Sequence, residues 1–219
     1  MNDLAYDFWV EKTRSRIVDP VRKELLAPTK QPHPFGVKRP SLEQTYYECF
    51  NKANLDLVEL NTTPIEEITA DGIRTTAGET KVDIIVLATG FDHMTGSFTQ
   101  LDLIGTDGRS IKEHWKAGVH TYLGMSVRHF PNMLIIYGPQ SLAASVNGPT
   151  AVELQSEFVS DLIRHAESNG VTRLEPSQKA EAEWHKEIND AWCSTLYPKA
   201  KSRYQGANIP GKKIEALNW

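Results

Sequence analysis

The chain has 219 residues, of which 40% are apolar and 24% charged, with a formal net charge of −4. That is the composition of one large or two small globular domains able to bury a core; the charge gives no electrostatic basis for nucleic acid or an anionic membrane as a partner, and no apolar run nears the roughly 20 residues of a membrane span. Two isolated cysteines, Cys49 and Cys193, exclude a disulfide framework and a CxxC metal site; with an amino terminus that lacks an apolar signal core, they point to a cytoplasmic protein.

In chain order, Leu4, Phe8, Ile17, Val21 and Leu25 recur at near-helical spacing and predict a helix over residues 1–26, with Pro20 as a point of interruption. Pro28, Pro32, Pro34, Gly36 and Pro40 make 27–40 a linker. A short aromatic helix over 42–52 carries Tyr46, Tyr47 and Phe50, and residues 55–60 alternate as a strand. Segments 65–68, 72–76 and 80–81, separated by Asp71-Gly72 and Ala77-Gly78, predict a hairpin or meander. Residues 83–87 (DIIVL) form a continuous apolar run, as in a strand buried on both faces, and end in Ala88-Thr89-Gly90. After a mixed stretch with turn signals at Gly105, Asp107-Gly108 and Gly118, residues 132–137 (NMLIIY) predict a second buried strand ending in Gly138-Pro139. A loop follows, then an amphipathic helix over 150–168 stopped by Gly170, a helix over 176–197, and a loop-like tail holding Pro198, Gly206, Pro210 and Gly211. The alternation indicates an α/β fold. In open α/β sheets ligands lie beyond the carboxyl ends of strands, which directs attention to 88–92 and 138–148.

Three segments there or nearby carry usable chemistry. Lys38-Arg39 sits in a backbone held extended by Pro40; such a pair can meet a phosphate, and the guanidinium can stabilise a developing anion, although a solvated surface pair has the same appearance. Ala88-Thr89-Gly90 allows close approach to a dinucleotide and offers a hydroxyl, or is an ordinary strand-to-loop turn. Gly138–Pro149 leads into a helix amino terminus, which favours negative charge, or is a plain connection. The seven histidines show no metal-ligand spacing, and there is no GxSxG, GxGxxG or GxxxxGK[ST] motif.

Five segments in order, FGVKRPSLEQTYYECFNKANLDLVEL (35–60), TPIEEITADGIRT (63–75), DIIVLATGFD (83–92), TYLGMSVRHFPNMLIIYGP (121–139) and YQGANIPGKK (204–213), resemble the carboxy-terminal half of Baeyer–Villiger monooxygenases of the cyclohexanone/phenylacetone monooxygenase type. The resemblance implies a partial two-dinucleotide-binding-domain, Rossmann-like flavoprotein fold without its amino-terminal half. Residues 1–82 would be the remnant of the NADPH domain and linker, with the β meander. Residues 83–219 would be the carboxy-terminal part of the FAD domain with a helical and mobile-loop tail. It also implies FAD and NADPH as cofactors, a small-molecule ketone as substrate, oxidation to an ester or lactone with O2, and a setting such as ketone degradation or secondary metabolism. By position, Arg39 would be catalytic, stabilising the anionic peroxide and the tetrahedral intermediate, and Lys38 would contact NADPH. Thr89 and Gly90 match the ATG motif joining the nucleotide domains, Asn147 and Gly148 fall in a pocket-shaping segment near the flavin, and Arg203 in a mobile loop over NADPH.

The sequence departs from the family in specific ways. Arg203 stands where a tryptophan is common before the tyrosine, and Gly148 where a larger residue is common. The family's two GxGxxG turns and its FxGxxxHxxxW-type fingerprint are absent; those turns hold pyrophosphates at helix amino termini. The sequence therefore reads as a fragment, split product or degenerate copy, with a second chain or an oligomer covering exposed core. The competing reading is a cofactor-free, inactive remnant acting as a binding or partner subunit.

Overall fold

In the computed structural model, which describes residues 1–141 and 146–217, the amino-terminal helical stretch divides at Pro20 into α1 (Asn2–Arg14) and α2 (Pro20–Leu26). Asp19 caps α2, its carboxylate accepting the Arg22 N–H at 2.8 Å. Pro20 fills the first helical position, where its missing N–H is no loss. The chain packs as two units, Met1–Gly90 and Phe91–Trp219.

In the first unit, α1 buries Tyr6, whose hydroxyl donates to the Pro28 carbonyl at 2.6 Å. Tyr6, Trp9 and Phe35 pack with ring centroids 5.6–6.3 Å apart, so the proline-rich segment is held by aromatic packing rather than by regular structure. The predicted 42–52 helix is one turn, α3 (Tyr46–Cys49). Arg16 fixes its approach: the guanidinium bonds Glu43, Glu48 at 2.6 and 2.7 Å, and the Gln44 carbonyl at 2.7 Å. The meander forms as the turn residues indicate. Strands β1 (Ile65–Ile68), β2 (Gly72–Thr75) and β3 (Gly78–Lys81) make an antiparallel sheet in that order. Gly72 is required, because a Cβ there would lie 2.0 Å from the Thr80 carbonyl oxygen.

Two strand expectations are corrected in this unit. Neither 55–60 nor 83–87 is a strand, and Ile84, Val86 and Leu87 are 80%, 82% and 74% exposed. A strand exists through its ladder, and no other described segment pairs with either run. Apolar composition says that a segment is suited to burial, not what it is buried against.

The second unit has its core at Ile111, Trp115, Val119, Val127, Phe130, Ile135 and Leu217. Two one-turn helices, α4 (Gly96–Thr99) and α5 (Ile111–His114), precede the long α6 (Gly148–Ser168) and α7 (Gln178–Cys193). A Ser110/Glu113 capping box starts α5. Gly170, at φ +66°, follows the end of α6, and the Ser177 hydroxyl caps α7 by accepting the Ala180 N–H at 3.1 Å. The predicted 176–197 helix ends at Cys193, and the tail holds only two 3-10 turns, Tyr197–Lys199 and Arg203–Gln205. The second predicted strand, 132–137, is also corrected. Asn132 and Tyr137 take φ of +60° and +59°, which breaks the pleat at both ends. Ile135 still enters the core, its N–H donating to the Met125 carbonyl at 2.7 Å. Among the described residues no helix is long and apolar enough to cross a membrane, and no cluster of side chains is arranged to hold a metal.

Two outcomes follow from this packing. Ile111 is fully buried in the core, so Ile111→Ala should destabilise the second unit by about 2–5 kcal/mol in urea unfolding; a change below about 0.5 kcal/mol would contradict the core assignment. Hydrogen bonding to Arg16 holds the Glu43 and Glu48 carboxyls below their ordinary value of 4.5. The tether they provide is therefore complete above that value and lost as pH falls below it. The Tyr46 N–H, donated to Glu43 at 3.0 Å, should lose exchange protection over that range in the wild type, with a much flatter profile in Arg16→Met.

Candidate functional site

The predicted cationic pair lies in the first unit between two anchors. On one side Val37 is 5% exposed, and the Asn2 side chain brackets Phe35, accepting its N–H at 2.8 Å and donating to its carbonyl at 2.9 Å. On the other side Arg16 holds Glu43. Lys38 and Arg39 between them are exposed, in backbone without regular structure. The arginines of this unit differ in one respect. Arg14 pairs with Glu24 at 2.9 Å, Arg16 with Glu43 and Glu48, and Arg74 with Glu67, while Arg22 bonds the Phe50 and Leu55 carbonyls. Arg39 has no hydrogen bond or ion pair among the described residues, and neither has Lys38. A backbone anchored on both sides thus presents two uncommitted cations adjacent in sequence, an arrangement able to bind an anionic ligand.

Thr89 and Gly90 lie near the end of a run, residues 76–91, that is exposed throughout. Gly90 has φ +85°, and a Cβ built there would meet nothing within 4 Å. Glycine is needed for its backbone conformation, and the space beside it is open.

In the second unit, Asn147 and Gly148 form the start of α6. Asn147 is the N-cap by backbone position, its carbonyl accepting the Ala151 N–H at 3.0 Å, but its side chain makes no capping bond and is exposed. Gly148 is not demanded by its backbone; a Cβ there would be 3.6 Å from the Tyr137 hydroxyl, an ordinary contact. An added Cβ is accommodated there. Of the predicted pocket segment 140–148, residues 142–145 lie outside the described residues. Arg203 begins the second 3-10 turn, exposed, with its guanidinium 5.3 Å from the Tyr204 ring, which meets His93 edge-on at 5.3 Å.

Sequence reasoning missed what fixes this tail. Lys212 bonds Asp92 and Thr95, and the Asn208 amide donates to the Phe91 carbonyl at 3.0 Å. Two of the quoted motifs, ATGFD and YQGANIPGKK, thus meet through Asp92 and Lys212. The signal lay in the opposite charges of the two motifs, but no spacing rule connects residues 120 positions apart. Gln140 was also missed. It is fully buried at φ +64°, and nothing in its sequence context marks it.

No family model matches the chain. Known proteins do. The chain is 50% identical over 218 residues, its full length, to cyclopentanone 1,2-monooxygenase of a Comamonas species, covering 40% of that protein. A closed crystal structure of cyclohexanone monooxygenase superposes with a TM-score of 0.90 at 37% identity, over 100% of this chain and 40% of that one. The structure of OTEMO in complex with FAD and NADP gives 0.90 at 36% identity, over 99% and 40%. The chain spans about 40% of the length of the curated relatives it matches. With end-to-end identity well above the level at which fold alone is shared, and the same backbone over its whole length, the chain belongs to the Baeyer–Villiger monooxygenase family, as its carboxy-terminal part.

Proposed function

We propose that this chain supplies part of an FAD- and NADPH-dependent monooxygenase that converts a small ketone to an ester or lactone, with Arg39 as the catalytic group. The observation that carries this reading is the uncommitted guanidinium of Arg39, in a unit where Arg14, Arg16 and Arg74 are ion-paired and Arg22 is bonded to backbone. An arginine held between two anchors, with no partner among the described residues, is available to a ligand.

The residues present fit the cofactors. The open space beside Gly90 admits close approach of a dinucleotide, with the Thr89 hydroxyl as a donor. Lys38 offers a point charge for a phosphate of NADPH. The unbonded side chain of Asn147, beside the free N–H groups of the first turn of α6, can donate to a polarised oxygen. In the second unit, Arg203 offers an exposed cation that can meet a cofactor phosphate. When bound and reduced by NADPH, FAD supplies the activation of O2, one oxygen entering the ketone and the other leaving as water. The chain's own contribution is electrostatic: Arg39, its backbone restricted by Pro40, stabilises negative charge that develops on oxygen. The exposed run Ile84–Leu87 is the surface through which the chain joins the further polypeptide of such an enzyme, in keeping with relatives much longer than this chain.

In the flavoenzyme containing this chain, Arg39→Ala should lower ester formation by about 10²–10³-fold and leave flavin reduction by NADPH close to wild type. Stopped-flow absorbance of the flavin and product analysis separate the two steps. Ester formation at the wild-type rate would refute the role given to Arg39.

A further inference from the structure

We propose that Gln140 is a positioning residue whose side-chain amide fixes the turn Pro139–Ser141, and that the stacked His120–His185 pair makes this fixing pH-dependent. The functional importance of that turn rests on the reading above, in which Asn147, further along the chain, contributes to the cofactor site.

Gln140 is fully buried and sits at φ +64°, a conformation a non-glycine residue keeps only when its surroundings hold it. Its backbone N–H donates to the Leu217 carbonyl at 2.8 Å. Its Oε1 accepts from the Thr121 N–H at 3.2 Å and lies 3.0 Å from the Thr121 hydroxyl. Its Nε2 donates to the Val119 carbonyl at 2.8 Å and lies 3.2 Å from Nδ1 of His185 on α7. The opposite side of the turn is closed by Gly124, where a Cβ would come within 2.4 Å of the Ser141 backbone nitrogen. The turn therefore has no slack on that side, and Gln140 ties the other to three separate stretches of the unit.

The orientation of the amide is not free. A backbone N–H can only donate and a carbonyl can only accept, so Thr121 and Val119 together fix which end of the amide is oxygen. The second Nε2 hydrogen then points at His185, whose Nδ1 must accept. His185 must therefore be neutral, with its proton on Nε2. Its ring stacks on His120, with centroids 4.1 Å apart and planes at 28°. Two imidazolium rings at that separation would repel, which also favours the neutral pair. Burial, and then the neighbouring His185, hold His120 below the ordinary imidazole value of 6.5; Lys213 and Arg128 act in the same direction and Glu181 against it. The Glu215 carboxylate accepts the Val119 N–H at 3.0 Å, and Arg109 and His114 line the same pocket as His120. Because Nδ1 accepts a hydrogen bond only in the neutral ring, the clamp weakens when His185 takes up a proton. A proton on Nδ1 would set one donor against another.

The test uses the 219-residue chain and needs no flavin. Long-range ¹⁵N–¹H spectra report the tautomer of His185, and amide exchange at Thr121, corrected for intrinsic rates, reports the clamp between about pH 8 and pH 5.5. The expected result is an Nε2–H His185 at the upper end and Thr121 protection that falls about tenfold per pH unit once the ring takes up a proton. Gln140→Ala should lose Thr121 protection at every pH. His185→Gln keeps an acceptor but cannot titrate, and should retain protection with that pH step removed. A His185 protonated on Nδ1, or the same pH profile in His185→Gln as in wild type, would overturn the proposal even if Gln140→Ala fails to fold. Either result leaves the role of Arg39 untouched, and failure of the flavoenzyme reading would leave the clamp standing.

Discussion

Buried side chains that accept or donate to backbone groups are what the second unit depends on. From Phe91 to Val146 its described residues contain only two one-turn helices and isolated bridges, yet they carry most of the core. Buried N–H groups must find acceptors, and here carboxylates and amides from distant positions provide them: Glu215 for Val119, Gln140 for Thr121, Glu181 for Arg128, Glu175 for His129, Gln155 for Tyr137 and Asn132 for Leu174. Gln155 stands on α6 and Glu181 on α7, so each long helix supplies an acceptor to a stretch that has no ladder of its own. The buried carboxylates Glu181 and Glu215, 8% and 5% exposed, each accept a backbone N–H.

That mode of construction explains what was legible in the sequence. The meander over 65–81 could be read because its turns are local and carry Asp-Gly and Ala-Gly. The ends of α2, α6 and α7 could be read because Asp19, Gly170 and Ser177 act within a turn of themselves. The runs 83–87 and 132–137 could not, because hydrophobicity reports suitability for burial while strand structure needs a partner backbone. In one case no described segment supplies that partner, and in the other positive φ at Asn132 and Tyr137 bends the chain away from it. The acceptor network was invisible for the same reason: a buried Gln at position 140 looks like any surface Gln until the backbone it satisfies is known.

The candidate site divides along similar lines. Arg39 and Gly90 stood out because each is chemically unusual for its place, a cation between prolines and a glycine ending an apolar run. The structure adds that Arg39 lacks a partner among the described residues and that Gly90 borders open space. Asp92 and Lys212 show the reverse: ordinary in sequence, they join two motifs that lie far apart along the chain. An electrostatic role for Arg39 requires that its charge not be spent on a neighbouring carboxylate. The Arg16–Glu43–Glu48 cluster serves that end by engaging two nearby acids while pinning the segment that follows Arg39.

The most direct test of the account is a chimera in which residues 1–219 replace the matching segment of the 50% identical cyclopentanone monooxygenase. Its FAD content and its NADPH-dependent oxidation of cyclopentanone would be measured together. The account predicts a folded protein that retains flavin and forms the lactone. A chimera that folds but neither holds flavin nor oxidises the ketone would contradict it.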